Sequence, residues 1–412
     1  MNAPALRLPA VLLFGVALAG CGKSAPSTSG GGSGGAIVQV STQGASGLAT
    51  KNTTRLGGVD PATDAAAVAR AVYPGLTVST RPQAVALVDE HDWPAALVAS
   101  ALAGAPLSAP LLYSDGSTLP AASSQALAAM RPSGATQAGG AQVIRIGTAP
   151  ATPAGYHTST LPASEPAALA AEVAQLESRA RGVAPHQVIV LADDGPPALA
   201  MPAAGLSAES GAPILLVSAT TVPAATSTEL KTLHQPTIYV VGPATLDSHV
   251  LAELAHLGPV RPVGSGAGED AGPVGNAIAV ARFADGAFGW GIHEPGHGLV
   301  FANLTRPLDA PAAALLSASG DFGPLLLLDD SSPPARASIP QTSVPPELVS
   351  YLSDIKPAYS PQVPPVRGVY NHGWLIGDEN AISPVIQAEI DTLLETSPRA
   401  TATEEPSLPL PE

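Results

Sequence analysis

Three short apolar runs, each behind a small residue and a proline, recur along the chain. They are Ala109 to Asp115 (APLLYSD), Ala212 to Ser218 (APILLVS) and Gly323 to Asp329 (GPLLLLD). An unbroken apolar run of this length predicts a strand buried on both faces, as in a parallel sheet. A second proline follows ten positions after the first, at Pro120, Pro223 and Pro334, and the first two suit the opening turn of a helix. Upstream of each run lies another: Ala84 to Asp89, Val188 to Asp193 and Gly298 to Asn303. Between the two, Ala/Leu-rich stretches predict helices over Pro94 to Ala105, Ala198 to Ser210 and Ala310 to Ser319. Downstream comes a third strand ending in glycine: Val143 to Gly147, Ile238 to Gly242 and Gly373 to Gly377.

The period is on the order of 100 residues, well above that of solenoid repeats. Each unit therefore reads as a small α/β module with a parallel sheet. The copies differ after the third strand. Copies two and three continue into helices, Leu246 to Leu257 and Ala381 to Leu394, whereas Thr148 to Thr160 of copy one reads as a loop. In copy three, Ser331 to Pro365 is long and Pro-rich. Trp93 to Ser114 carries no charge, but Pro94, Pro106 and Pro110 interrupt it, so it reads as a buried helix and strand and not as a membrane span.

The first residues follow a different pattern. A short start with Arg7 precedes an apolar run, Leu8 to Ala17, and then Leu18-Ala19-Gly20-Cys21. This is the layout of a signal peptide, residues 1–20, whose apolar core is shorter than the roughly 20 residues of a membrane span. The last four residues resemble a bacterial lipobox, which implies cleavage before Cys21 and a diacylglycerol on its thiol. Several acyl chains on one residue anchor far more firmly than one. Ser24 to Gly35 (SAPSTSGGGSGG) then reads as part of a flexible tether over residues 21–52. The expected location is the extracytoplasmic face of a membrane, held by lipid.

Composition narrows the function classes. Cys21 is the only cysteine, so neither an internal disulfide nor a cysteine-based metal site is available. A formal charge of −15 without any Lys/Arg cluster argues against nucleic-acid binding. With 45% hydrophobic but only 4% aromatic residues, the core must be built from Ala, Val and Leu. Residues 397–412 are Pro/Glu-rich and expected to be disordered.

Arg55-Leu56-Gly57-Gly58-Val59-Asp60, followed by Thr63, Ala65, Val68 and Ala69, resembles the opening of a repeat in the cell wall binding repeat type 2 family. Pro61 stands where that family usually has a second arginine. Asp309-Ala310 resembles its helix motif, and Ile376-Gly377 with Ala381-Ile382-Ser383 its last strand and helix start. The resemblance spans roughly Thr53 to Glu395. It implies three Rossmann-like modules in tandem, packed as a pseudo-threefold triangle: module one 53–160, module two 161–263, module three 264–396. It further implies a non-catalytic set that binds an anionic polymer or glycan of the cell wall, with no cofactor and no resident metal. Arg55, Asp60, Asp89, Asp193, Asn303 and Asp309 are the candidate ligand-binding residues, and Arg70, Arg81, Arg145, Arg261 and Arg306 the further basic candidates. The net acidity opposes a polyanion unless local arginines or bridging cations offset it.

His293-Glu294-Pro295-Gly296-His297 satisfies the H-E-x-x-H pattern, which needs both histidines on one helical face. Pro295 and Gly296 oppose that helix, so an exposed loop is expected, and a zinc metalloprotease is the least favoured reading. Carboxylates gather after the predicted strands: Asp89, Glu90 and Asp92; Asp115; Asp193 and Asp194; Asp329 and Asp330. Ligands of open α/β sheets bind there, so these groups could hold a cation or contact an amino-bearing glycan, although Asp also suits helix caps, Asp92 above all. Gly57-Gly58 and Gly264 to Gly268 lack the residues and setting of a phosphate loop. Trp290 and Trp374 could stack on sugars or pack between modules. A solute-binding lipoprotein is the remaining alternative.

Overall fold

Val, Ile and Leu without polar alternation leave a strand no face to give to water, and the strands they form are covered on both sides. The computed structural model describes residues 38–42, 45–264, 272–318, 323–329, 344–359 and 370–398. Cys21, the Ser/Gly run 24–35, Pro334, Asp330 and residues 399–412 lie outside them, whereas Val38–Thr42 and Ala45–Ala49, expected as tether, and Ser397–Pro398, expected as disordered tail, are paired strands. No described helix is long and apolar enough to cross a membrane.

The chain begins with an antiparallel pair, β1 (Val38–Thr42) and β2 (Ala45–Ala49), and continues through β3 (Thr53–Leu56) into α1 (Pro61–Val72). The first repeat follows: β4 (Val85–Asp89), α2 (Trp93–Ala99), β5 (Leu111–Ser114), α3 (Ala121–Met130), β6 (Val143–Ile146) and β7 (Thr158–Leu161). Its sheet is parallel throughout, in the order β5-β4-β6-β7. The second repeat comprises α4 (Pro166–Arg181), β8 (Gln187–Ala192), α5 (Pro197–Ala200), α6 (Pro202–Ser210), β9 (Ile214–Val217), α7 (Ala224–Thr232), β10 (Thr237–Val241), α8 (Ser248–Leu257) and β11 (Val260–Val263). Its sheet order, β9-β8-β10-β11, is the same and again parallel.

The third repeat runs α9 (Pro273–Arg282), β12 (Gly298–Asn303), α10 (Asp309–Ala318), β13 (Leu325–Leu328), α11 (Pro346–Asp354), β14 (Ala358–Tyr359), β15 (His372–Ile376), α12 (Pro384–Leu393) and β16 (Ser397–Pro398), the last pairing with β14. Its own chain supplies only three of the four sheet positions, β13-β12-β15. The fourth is filled by β3, from the opposite end of the sequence, parallel to β15 with Leu375 facing Arg55 in register. The β1–β2 pair extends that edge, giving six strands.

This placement explains the connectivity. In every repeat the fourth strand leads into a helix that packs on the next repeat's elements. β7 leads to α4 against β9 and α7; β11 leads to α9 against β13 and α11; β3 leads to α1 against β5, α3 and α10. The fourth strands are the elements the sequence pattern does not disclose. The loop expected over Thr148 to Thr160 ends in β7, and Val260–Val263 (VRPV) carries Pro262, tolerated because β11 is a sheet edge.

The helices that follow each first strand are Ala-rich and largely buried. α6 packs against α10, and both meet the 3₁₀ turn Ser100–Ala103 that ends α2. Each carries one buried serine whose hydroxyl donates to a backbone carbonyl: Ser100 to Leu97 (2.6 Å), Ser207 to Ala212 (2.6 Å) and Ser317 to Gly323 (2.8 Å). Small residues set the approach. A Cβ on Gly104 would stand 2.6 Å from the Ala208 carbonyl oxygen, and one on Gly205 would stand 2.6 Å from Ser317 Oγ. Gly104→Ala is therefore expected to destabilise the protein by about 1–3 kcal/mol through overpacking against backbone. A denaturant midpoint unchanged from wild type would show that the three helices meet less tightly.

Candidate functional site at the strand ends

Each sheet has the order second-first-third-fourth, so the carboxyl ends of the strands, where parallel sheets bind ligands, are equivalent in the three modules. Asp89, Asp193 and Asn303 lie at or just past the ends of β4, β8 and β12.

In the first module, Asp89 Oδ1 accepts from the backbone N–H of His91 (3.2 Å) and of Gly116 (3.2 Å), tying together the loops after β4 and β5. The same oxygen lies 3.0 Å from His91 Nδ1. Burial opposes ionisation of Asp89, but the hydrogen bonds from His91 and Gly116 outweigh it and hold the carboxyl below its ordinary range. The exposed His91 imidazole is shifted up, first by its hydrogen bond to Asp89. Glu90 and Asp115 approach from either side, and ligand atoms of Glu90, His91 and Asp115 lie within 4.8 Å of one another. Burial and then the charge of Asp115 raise the Glu90 carboxyl. Asp92 caps α2, accepting from the Ala95 N–H at 3.0 Å.

In the second module the tie between adjacent loops comes from Asp194, whose Oδ1 accepts from the Ala219 N–H at 2.7 Å. Asp193 beside it is raised by burial and by the Asp194 charge. In the third module Asn303 takes the part: Oδ1 accepts from Thr305 N–H (2.9 Å) and Nδ2 donates to the Ala381 carbonyl (2.8 Å), joining the loops after β12 and β15. In each module a residue at or just past the end of the first strand thus ties neighbouring loops.

Arg55 is buried inside the third module. Nε and Nη2 donate to Gln387 Oε1 (3.1 and 2.9 Å), Nη1 to the carbonyls of Gly377 (3.1 Å) and Asp378 (2.6 Å), and Nη2 to Ile382 (2.7 Å). Burial lowers its pKa, opposed by the charges of Glu379 and Asp378. Asp60 caps α1, accepting from Thr63 N–H at 2.7 Å. Asp309 is buried at the start of α10, where Arg306 Nε donates to its Oδ2 at 2.8 Å. Arg306 Nη2 also contacts Asp64 Oδ2, and Asp64 Oδ1 accepts from Gly58 N–H at 2.6 Å. Asp64 and Gln387 complete these contacts and are not singled out by the sequence. The signal that could have found Asp64 is an acid inside an otherwise Ala/Val helix face, six residues after a glycine.

Of the remaining basic candidates, Arg145 and Arg261 are engaged by the protein. Arg145 donates to the carbonyls of Thr148 (2.9 Å), Pro150 and Ala151 (3.0 and 3.1 Å from Nε). Arg261 pairs with Asp285 at 3.6 Å, and Arg70 and Arg81 are half-buried. His293 to His297 form a non-helical loop before β12, held where Asn371 Oδ1 accepts from the N–H groups of Gly296 (2.8 Å) and His297 (3.1 Å). Among the described residues, His293, Glu294 and His297 do not converge as a metal-ligand set. Trp374 stands edge-on to His372, ring centroids 5.1 Å apart, and Trp290 is half-buried against the core.

No family model matches the chain, and no curated protein matches it. Solved structures do. Cwp8 from Clostridium difficile shares the fold with a TM-score of 0.59 at 16% identity, over 84% of this chain and 51% of that one. Cwp6 from Clostridium difficile matches with a TM-score of 0.61 at 16% identity, over 87% of this chain and 51% of that one. The chain thus spans about half the length of each, and at this identity the likeness is one of fold.

Proposed function

We propose that this chain is a lipid-anchored, non-enzymatic protein of the cell envelope whose three modules bind a wall polymer or an envelope partner through their strand-end surfaces. The observation that carries the reading is the repeated parallel sheet of one strand order, in a fold shared with Cwp8 and Cwp6 and with motifs resembling the cell wall binding repeat. The lipobox at Cys21 and the Ser/Gly tether supply the membrane end.

The placement of the arginines refines the partner. Arg55, Arg145 and Arg306 spend their donors on the protein's own carbonyls and carboxylates. A bare polyanion therefore finds few free cations on these surfaces, whereas carboxylates at the strand ends suit amino-bearing sugars or an anionic polymer reached through divalent cations. Three sheets of one kind do not divide into the two lobes of a solute-binding protein.

Sedimentation with purified cell walls tests the proposal. The protein is expected in the pellet, with recovery falling severalfold when anionic polymers are stripped or a chelator is added, if cations bridge. Retention by stripped walls, lost on N-acetylation of the glycan, identifies amino groups as the contact. Equal recovery in the supernatant from every preparation would sink the wall-binding reading.

A further inference from the structure

Asp64 and Asp309 hydrogen-bond to each other away from the strand-end surfaces, where the first helix docks on α10 of the third module. Both carboxyls are fully buried, and Arg306 reaches both. One guanidinium between two carboxylates leaves a surplus negative charge away from water, which a shared proton removes.

Polar and charged groups from three neighbouring segments contribute to this balance. From the β3–α1 connection, Gly58 N–H donates to Asp64 and the Val59 carbonyl lies 3.4 Å from Arg306 Nη1. From the loop after β15, Asp378 adds negative charge against Asp309. From β5, the buried Tyr113 hydroxyl donates to the Leu308 carbonyl at 2.7 Å and feels Asp309, Asp64 and Glu90. Arg55 stands on the other side of Gly377, its charge spread over three carbonyls and Gln387. Arg306 is the cation in direct contact with the pair.

We propose that a proton shared by Asp64 and Asp309 is the catch that keeps α1 docked on the third module, making this junction a pH-sensitive device that is closed with the proton and loosened without it. The Asp64 carboxyl is pushed up to about 9, first by burial and then by the Asp309 charge, and Asp309 is raised by burial as well. In an opened junction both would return toward the ordinary carboxylate value. The closed form thus binds the extra proton between those two limits. Its stabilisation is complete below the ordinary value and is lost as pH rises through about 9. The opening constant should rise about tenfold per pH unit until that point and then level off.

Hydrogen exchange of the full-length protein, corrected for intrinsic rates, reads this directly at residues 53–72 and 303–318. Between pH 7 and 8.5 the opening constant is expected to rise about thirtyfold there, with α8 unaffected. Asp309→Asn and Asp64→Asn, which fix the neutral state, should each flatten the profile. A flat wild-type profile, or the same slope in both variants, would overturn the proposal. If neither variant folds, the infrared band of a protonated carboxyl decides. It should vanish near pH 9 in a Glu177→Gln background, which removes a second buried carboxyl raised by its burial to about 7. Its absence at pH 8 would equally overturn the proposal.

Discussion

Replacing Arg55 by methionine is expected to cost about 3–5 kcal/mol of stability, the penalty for breaking a buried charged network. The side chain is 1% exposed, and its removal strands the carbonyls of Gly377, Asp378 and Ile382 together with Gln387 Oε1. Methionine fills the volume but offers no donor, so each acceptor loses its partner in a place water does not reach. Arg55→Lys should recover less than half of the loss. One ammonium keeps the charge, but it cannot span acceptors that the guanidinium reaches from three nitrogens. Denaturant unfolding followed at Trp374, which lies on the partner strand β15, measures the effect. A methionine variant as stable as wild type would show that solvent enters the site and takes over the hydrogen bonds.

Deleting residues 1–56 should have a larger effect still, abolishing the third module. The truncation removes β3, and with it Arg55 and the ladder in which Gly373 N–H donates to the Asn52 carbonyl and Gly377 N–H to that of Leu56, both at 2.9 Å. β15 would become an open edge, and the apolar face it shares with α12 would lose its cover. Deleting residues 1–36, which precede β1, should leave the body intact. Limited proteolysis of the two truncations distinguishes them: rapid cleavage within residues 298–393 is expected only for the longer deletion. A peptide of residues 45–56 added to that fragment should restore protection by adding the missing strand. Equal resistance of the two truncations would mean that β3 contributes little to the third sheet.

Much of the architecture was legible in the chain because burial on both faces leaves a mark on sequence. Leu325–Leu328 and Ile214–Val217 could hardly be anything but strands buried on both faces, and they are. Thr53–Leu56, Thr158–Leu161 and Val260–Val263 were not legible as strands, since TTRL, TSTL and VRPV mix polar, charged and proline positions. The pairing of residue 53 with residue 373 has no local signal at all: it follows from the third repeat needing a fourth strand that its own chain does not provide. The same limit applies to the site. The motif around Arg55 and Asp60 marks positions that matter, but an arginine and an aspartate in a Gly-rich stretch look alike whether they face a ligand or hold the chain. Here Arg55 is enclosed and Asp60 caps a helix. Asp89 was visible as an acid after a strand. That it grips Gly116, 27 residues on, depends on the sheet setting β4 beside β5.

The placement of β3 also has a mechanical meaning. Any tension applied ahead of Val38 enters the body through β1, β2 and β3, the first described elements of the chain. A pull from the N-terminal side is therefore delivered to the strand that completes the third sheet, and not to a peripheral loop. The seam of the fold and the point where such a force enters coincide, so the bonds that Arg55 makes also set how much force the third module withstands before it yields.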